Sequence, residues 1–122
     1  MAETERLICA SDALAEGGNG VRFEMAGKGG SQAAFAVRYG GQVYAYLNRC
    51  AHIGIELDWQ PGEFFDGSGL YLICTTHGAT YLPDSGHCVA GPCRGKRLIS
   101  VAVCEHDGGI YLKLPETYAR DA

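Results

Sequence analysis

Val21, Phe23 and Met25 alternate with Arg22 and Glu24 over residues 20–26, and this period of two predicts a half-buried strand. Ahead of it, residues 5–10 (Glu-Arg-Leu-Ile-Cys-Ala) read as a short first strand. Ser11 and Asp12 offer a cap for one helical turn through Leu14, which Gly17-Gly18 would end. Ala34–Arg38 and Gln42–Leu47 flank Tyr39-Gly40-Gly41, the pattern of a hairpin. From Asn48 to about Arg97 the turns multiply, and only residues 69–74 and 78–82 read as strands. Beyond Arg97, Leu98–Cys104 and Gly109–Leu114 flank a turn over Glu105–Gly108, where Asp107-Gly108 is a strong turn signal, and Pro115 closes the last strand. The expected fold is all-β. It is an antiparallel β-sandwich scaffold from both ends of the chain (about 1–47 and 95–122), interrupted by a loop-rich subdomain over about 48–94.

Composition supports short strands and tight turns. Glycine supplies 18 of 122 residues, about twice its usual share. A chain of 122 residues is long enough for one core and short for two, so 1–122 is expected to form a single domain. The net charge of −4 and the lack of any basic run exclude a nucleic-acid backbone as the natural partner and favour a basic protein surface. No apolar stretch approaches the roughly 18 residues needed to span a bilayer. The acidic start Met1-Ala2-Glu3-Thr4-Glu5-Arg6 does not resemble a signal peptide, so a cytoplasmic protein without membrane attachment is expected. In that compartment six cysteines read as metal ligands or buried thiols rather than a disulfide framework.

Two motifs carry candidate chemistry: Cys50-Ala51-His52 and Cys74-Thr75-Thr76-His77. Each offers one soft thiolate and one imidazole from a tight loop. Two sulfurs and two nitrogens can hold zinc or an iron–sulfur cluster, and ligand type does not decide between them. The spacing weighs against zinc, because zinc fingers pair like ligands, two cysteines and then two histidines. Here each motif mixes them.

The runs Cys50-Ala-His-Ile-Gly and Cys74-Thr-Thr-His-Gly-Ala resemble the two ligand loops of the Rieske family. Asp84-Ser-Gly-His-Cys-Val-Ala-Gly-Pro92 resembles that family's third loop, whose Gly-Pro step packs against the cluster. The resemblance spans roughly residues 43 to 114. It implies a Rieske-like fold and one [2Fe–2S] cluster per chain. Cys50 and Cys74 would bind one iron, and His52 and His77 the other through their δ nitrogens, with the ε nitrogens near solvent. Ile53, Gly54, Gly78, Ala79, Tyr81, Gly91 and Pro92 would form the cluster environment. Neutral imidazoles in place of two thiolates raise the reduction potential. The chain also departs from the quinol-oxidising members of the family. Their extra loop cysteines correspond to Ile55 and Thr76, and a serine whose hydroxyl bonds a bridging sulfide corresponds to Ala79. Tyr81 keeps the tyrosine position, from which a hydroxyl could donate to a cysteine sulfur. Fewer donors to sulfur lower the potential, so the resemblance points to the lower-potential Rieske-type ferredoxins without the disulfide.

The implied role is that of a soluble one-electron carrier, taking electrons from a flavin-dependent reductase and passing them to an oxygenase or similar acceptor. It is not expected to be an enzyme by itself, since ~120 residues leave no room for a mononuclear-iron domain with two histidines and a carboxylate. Two rivals remain. One is a small Rieske subunit of a larger oxidoreductase such as a nitrite reductase, which co-purification would reveal. The other is a zinc- or iron-binding module without redox function, which metal and sulfide analysis would reveal.

The remaining residues have plainer readings. Cys88 and Cys93 could pair, but a reducing compartment favours buried thiols. Cys9 and Cys104 read as small core residues on strands, His87 as a turn residue and His106 as a solvated one. Trp59, Phe64 and Phe65 read as packing under the 53–73 connection. Gly27-Lys28 lacks the glycine and hydroxyl of a phosphate loop, and Asp66 and Asp84 lack a partner carboxylate for acid–base work.

Overall fold

Gly40 and Gly41 turn the chain with φ of +61° and +80°, left-handed values that glycine adopts without strain. The flanking strands run antiparallel from Tyr39↔Gln42 to Ala34↔Leu47, as the sequence predicts. The computed structural model describes residues 5–27, 30–49, 56–58, 60, 62–74, 78–92 and 95–113. In chain order its strands are β1 (Glu5–Ala10), β2 (Val21–Gly27), β3 (Gly30–Tyr39), β4 (Gln42–Leu47), β5 (Leu72–Cys74), β6 (Ala79–Tyr81), β7 (Cys88–Ala90), β8 (Val103–His106) and β9 (Gly109–Lys113). They form three antiparallel sheets ordered β1-β9-β8, β2-β3-β4 and β5-β6-β7. The all-β expectation holds. Among the described residues no helix is long and apolar enough to cross a membrane.

In the sheet β2-β3-β4, the middle of β3 and the end of β4 are buried on both faces. Phe35, Val37 and Tyr46 point into one cluster, shared with Leu57, Phe64, Leu72, Cys74, Ala79, Tyr81 and Leu98. Ala34, Ala36, Ala45 and Leu47 point into a second, shared with Leu14, Met25, Val101, Ile110 and Leu112. The first cluster joins this sheet to β5-β6-β7 and the second joins it to β1-β9-β8. Phe35 stacks on Phe64 at 3.9 Å between ring centroids, so Phe64 is core packing as expected. Trp59 lies outside the described residues.

Several local expectations are corrected. The helical turn at Ser11–Ala13 is a 3-10 turn with Ala10 at its N-cap and no side-chain cap, so Ser11 and Asp12 do not cap it. β3 begins at Gly30 because its pairing with β2 extends to Gly27↔Gly30. β7 was not anticipated. It forms because Cys88 and Ala90 pair with Tyr81 and Thr80. The strand expected over 98–104 lies instead at Val103–His106. Residues 98–101 bond to β4 in isolated steps, Leu47 N–H to Ile99 O and Val101 N–H to Ala45 O, each 2.9 Å. That segment crosses between the two clusters, burying Leu98 in one and Val101 in the other. The turn shrinks to Asp107-Gly108 because Glu105 and His106 pair with Ile110 and Gly109. β1 carries a bulge between Leu7 and Cys9 and lies at the edge of its sheet.

Glu16 fastens the β3–β4 turn from outside. Its carboxylate accepts the N–H groups of Gly41 at 2.9 Å and Gly40 at 2.5 Å, and these two bonds hold its pKa below the usual carboxylate value. A lowered pKa in the folded state gives a stabilising contribution that is present above the ordinary carboxylate range of about 4.3. It is lost as pH falls through the depressed value. Glu16→Gln is therefore expected to lower the urea midpoint near neutral pH, and the gap to wild type should close below roughly pH 4. A gap that stays constant on acidification would show that the charge of Glu16 does not contribute.

Candidate metal centre

The second ligand motif sits on a tight β5–β6 hairpin. Cys74 ends β5, is fully buried, and pairs directly with Ala79 at the start of β6. Gly78 N–H donates to Cys74 O at 2.8 Å and closes the connection over residues 75–78. Thr80 Oγ1 donates to Gly78 O at 3.1 Å, stiffening the exit. Cys74, Ala79 and Tyr81 are all fully buried in the first core cluster, so this loop is anchored to the same apolar body as Phe35 and Phe64.

The base of the first motif is fastened by a residue that sequence reasoning missed. Asn48 is buried immediately after β4 and two positions before Cys50. Its Oδ1 accepts the Leu57 N–H at 2.9 Å, and its Nδ2 donates to Asp58 Oδ1 at 2.9 Å. Asp58 Oδ2 accepts the Gly62 N–H at 3.0 Å and lies 3.6 Å from Arg22 Nε, while Arg22 also pairs with Glu56 at 2.8 Å. One amide side chain thus joins residues 48 and 57 across the segment that holds Cys50 and His52. The available signal was polarity at the end of an apolar strand, but no spacing rule links Asn48 to Asp58. A buried polar pair is recognised only once both are seen to be satisfied.

The third loop backs onto the second. Gly91 has φ of +91°, and a Cβ built there would lie 2.9 Å from Ala79 Cα and from Gly78 O. The backbone at 91 therefore rests directly against the second loop, and Pro92 follows it, exposed. Tyr46 holds the start of this loop. Its hydroxyl donates to Pro83 O at 2.7 Å, and burial raises its pKa. Its ring also fills the space where a side chain on Gly86 would stand, 2.9 Å from that missing Cβ.

Of the site residues read from sequence, Cys74, Gly78, Ala79, Tyr81, Gly91 and Pro92 are described, and Gly91 meets Gly78 and Ala79 as expected. Cys50, His52, Ile53, Gly54 and His77 lie outside the described residues. Two other expectations are revised. Cys88 is disulfide-bonded rather than a free thiol. Beside it the backbone is tied across the loop, Cys88 N–H donating to Lys96 O at 2.9 Å. Cys104 is not a core residue. It is partly exposed and donates to Glu5 at 2.9 Å.

Residues 5–105 match the family model described as the Rieske [2Fe–2S] domain. No curated protein sequence matches the chain. Among solved structures, the ferredoxin of carbazole 1,9a-dioxygenase from Nocardioides aromaticivorans IC177 is similar at 24% identity and a TM-score of 0.71, over 91% of this chain and 98% of that one. A Sphingomonas yanoikuyae B1 ferredoxin gives 20% identity and a TM-score of 0.71, over 91% and 99%. A complex of reduced oxygenase and oxidized ferredoxin in carbazole 1,9a-dioxygenase gives 21% identity and a TM-score of 0.70, over 95% and 98%. At these identities the likeness establishes the fold.

Asn48→Ala removes both bonds at the base of the first loop and leaves buried Asp58 short of a donor. The expected loss is about 1–3 kcal/mol in denaturant unfolding. Gly91→Ala is expected to lower the iron retained per purified chain, because the new methyl must displace the backbone of the second loop. Wild-type iron content in Gly91→Ala would show that the third loop yields without consequence.

Proposed function

Because the chain belongs to the Rieske [2Fe–2S] domain family, we propose that it is a one-electron carrier whose cluster is held by Cys50 and Cys74 on one iron and by His52 and His77 on the other. The observation that carries this reading is the family match over residues 5–105, within which both mixed Cys/His motifs fall in order. The described part of the site fits such a group. The fully buried Cys74 is delivered at a strand end opposite a small residue, Ala79, and the missing side chain at Gly91 lets the third loop close on that pair. When bound, a Rieske cluster supplies a single reversible electron at a potential raised by its two neutral imidazoles.

The residues of the chain do the rest. Cys74 packs in one cluster with Tyr81 and Leu57, and Asn48 fastens the base of the segment that carries Cys50. Ala79 is buried and has no hydroxyl to give to a bridging sulfide. Ile55 and Thr76 leave no disulfide between the ligand loops. Fewer donors around sulfur place the potential in the lower part of the roughly −150 to +300 mV Rieske range. This is the character of a ferredoxin. Two of the similar structures are ferredoxins, one of carbazole 1,9a-dioxygenase, and another is a ferredoxin–oxygenase complex. By that analogy the acceptor is a terminal oxygenase and the donor a flavin-dependent reductase, with the chain itself performing no catalysis. The domain is read as one unit, 1–122, with the ligand loops in the 48–94 segment.

Anaerobically purified protein is expected to hold about two irons and two acid-labile sulfides per chain and to give, on one-electron reduction, the EPR signal of a mixed His/Cys cluster. Cys50→Ser and His52→Ala should each abolish that signal. Stoichiometric zinc without sulfide would overturn the assignment. A potential near the top of the range would overturn the ferredoxin subtype while leaving the cluster in place.

A further inference from the structure

A second set of metal-type side chains lies on the β1-β9-β8 sheet, which packs on the other core cluster from the ligand loops. Cys104 and His106 are two apart on β8 and so share one face of the sheet. Glu5, at the start of β1, reaches across β9 to meet both. One carboxylate oxygen accepts from Cys104 Sγ at 2.9 Å, and the other lies 2.8 Å from His106 Nε2. A sulfur, a nitrogen and an oxygen thus lie within 4.8 Å of one another, at partly exposed positions open to solvent.

The imidazole is oriented from two further sides. His106 Nδ1 lies 2.9 Å from Asp107 Oδ2, and the Tyr111 ring stacks on it at 4.4 Å and 6°. A carboxylate on the far nitrogen is the usual outer partner of a metal-bound histidine, leaving the near nitrogen to face the ion. Carboxylates thus flank both ring nitrogens, and they raise the pKa of His106, Asp107 first and Glu5 second.

We propose that Glu5, Cys104 and His106 form a surface zinc site, separate from the cluster and independent of its assignment, with a fourth position open to water. A thiolate, an imidazole and a carboxylate together suit zinc, and a hard cation such as magnesium or calcium would not select them. The exchange balances. Zinc takes the place of the Cys104 thiol proton and of any proton on His106 Nε2, and the displaced protons pass to solvent. Zinc bonds of about 2.0–2.3 Å place tetrahedral ligand atoms about 3.5 Å apart; the two Glu5 oxygens lie 2.9 Å from Cys104 Sγ and 2.8 Å from His106 Nε2, and one ligand atom from each of the three residues falls within 4.8 Å of the others.

The test uses the intact, cluster-loaded protein with zinc chloride as the probe. Zinc titration should saturate at one ion per chain with the Rieske EPR signal and iron content unchanged. X-ray absorption at the zinc edge, where iron does not interfere, should show one sulfur at about 2.3 Å and nitrogen or oxygen at about 2.0–2.1 Å. Cys104→Ser should remove the sulfur shell, and Cys104→Ser, His106→Gln and Glu5→Gln should each weaken zinc binding by at least about tenfold. A zinc shell without sulfur, affinity unchanged in these variants, or iron lost as zinc binds would overturn the proposal. None of those results except the loss of iron would touch the cluster, so the two assignments fail separately.

Discussion

β3 has no solvent face over Ala34-Phe35-Ala36-Val37, and this double burial is the constraint on which the rest of the molecule rests. A strand packed on both sides divides the interior into two clusters, and the sizes of its side chains set how closely each neighbouring sheet can approach. Alanines at 34, 36 and 45 let β1-β9-β8 pack close on one side. Phe35 and Tyr46, with Phe64 stacked on the former, fill a deeper space on the other. Cys74, Ala79 and Tyr81, beside the second loop, stand on that deeper side over the aromatic packing.

Polar groups then set the positions of the loops on this base. Asn48 spans the first loop, the Cys74–Ala79 pair and the Gly78 N–H close the second, and Tyr46 anchors the start of the third. The Asn48 and Tyr46 bonds are made in a buried setting, where an unmade bond is costly and alternatives are few.

The fold class was legible because turn chemistry is local. Gly40-Gly41 and Asp107-Gly108 mark their hairpins without reference to the rest of the chain. The alternation of β2 was legible because one face is wet, Arg22 and Glu24 being exposed while Met25 is buried. The start of β3 and the course of residues 98–104 were not, because both depend on pairing with distant strands and on burial in two clusters at once, which erases a period of two. At the site, the cysteine and histidine motifs stand out by residue type. Asn48 and Asp58 do not, because their role exists only through each other, ten positions apart. Cys104, Glu5 and His106 were unreadable for a similar reason, since a separation of |i−j| = 99 between Glu5 and Cys104 is bridged only by the closure of the sheet.

The bulge in β1 bears on how this protein behaves when crowded. β1 is an edge strand, and Leu7 on it is 60% exposed, a combination that invites a second chain to add a strand. The slip between Leu7 and Cys9 breaks the even ladder that such an addition needs, and Glu5 and Arg6 place charge at its open end. This interruption and charge oppose the addition of a strand from a second copy.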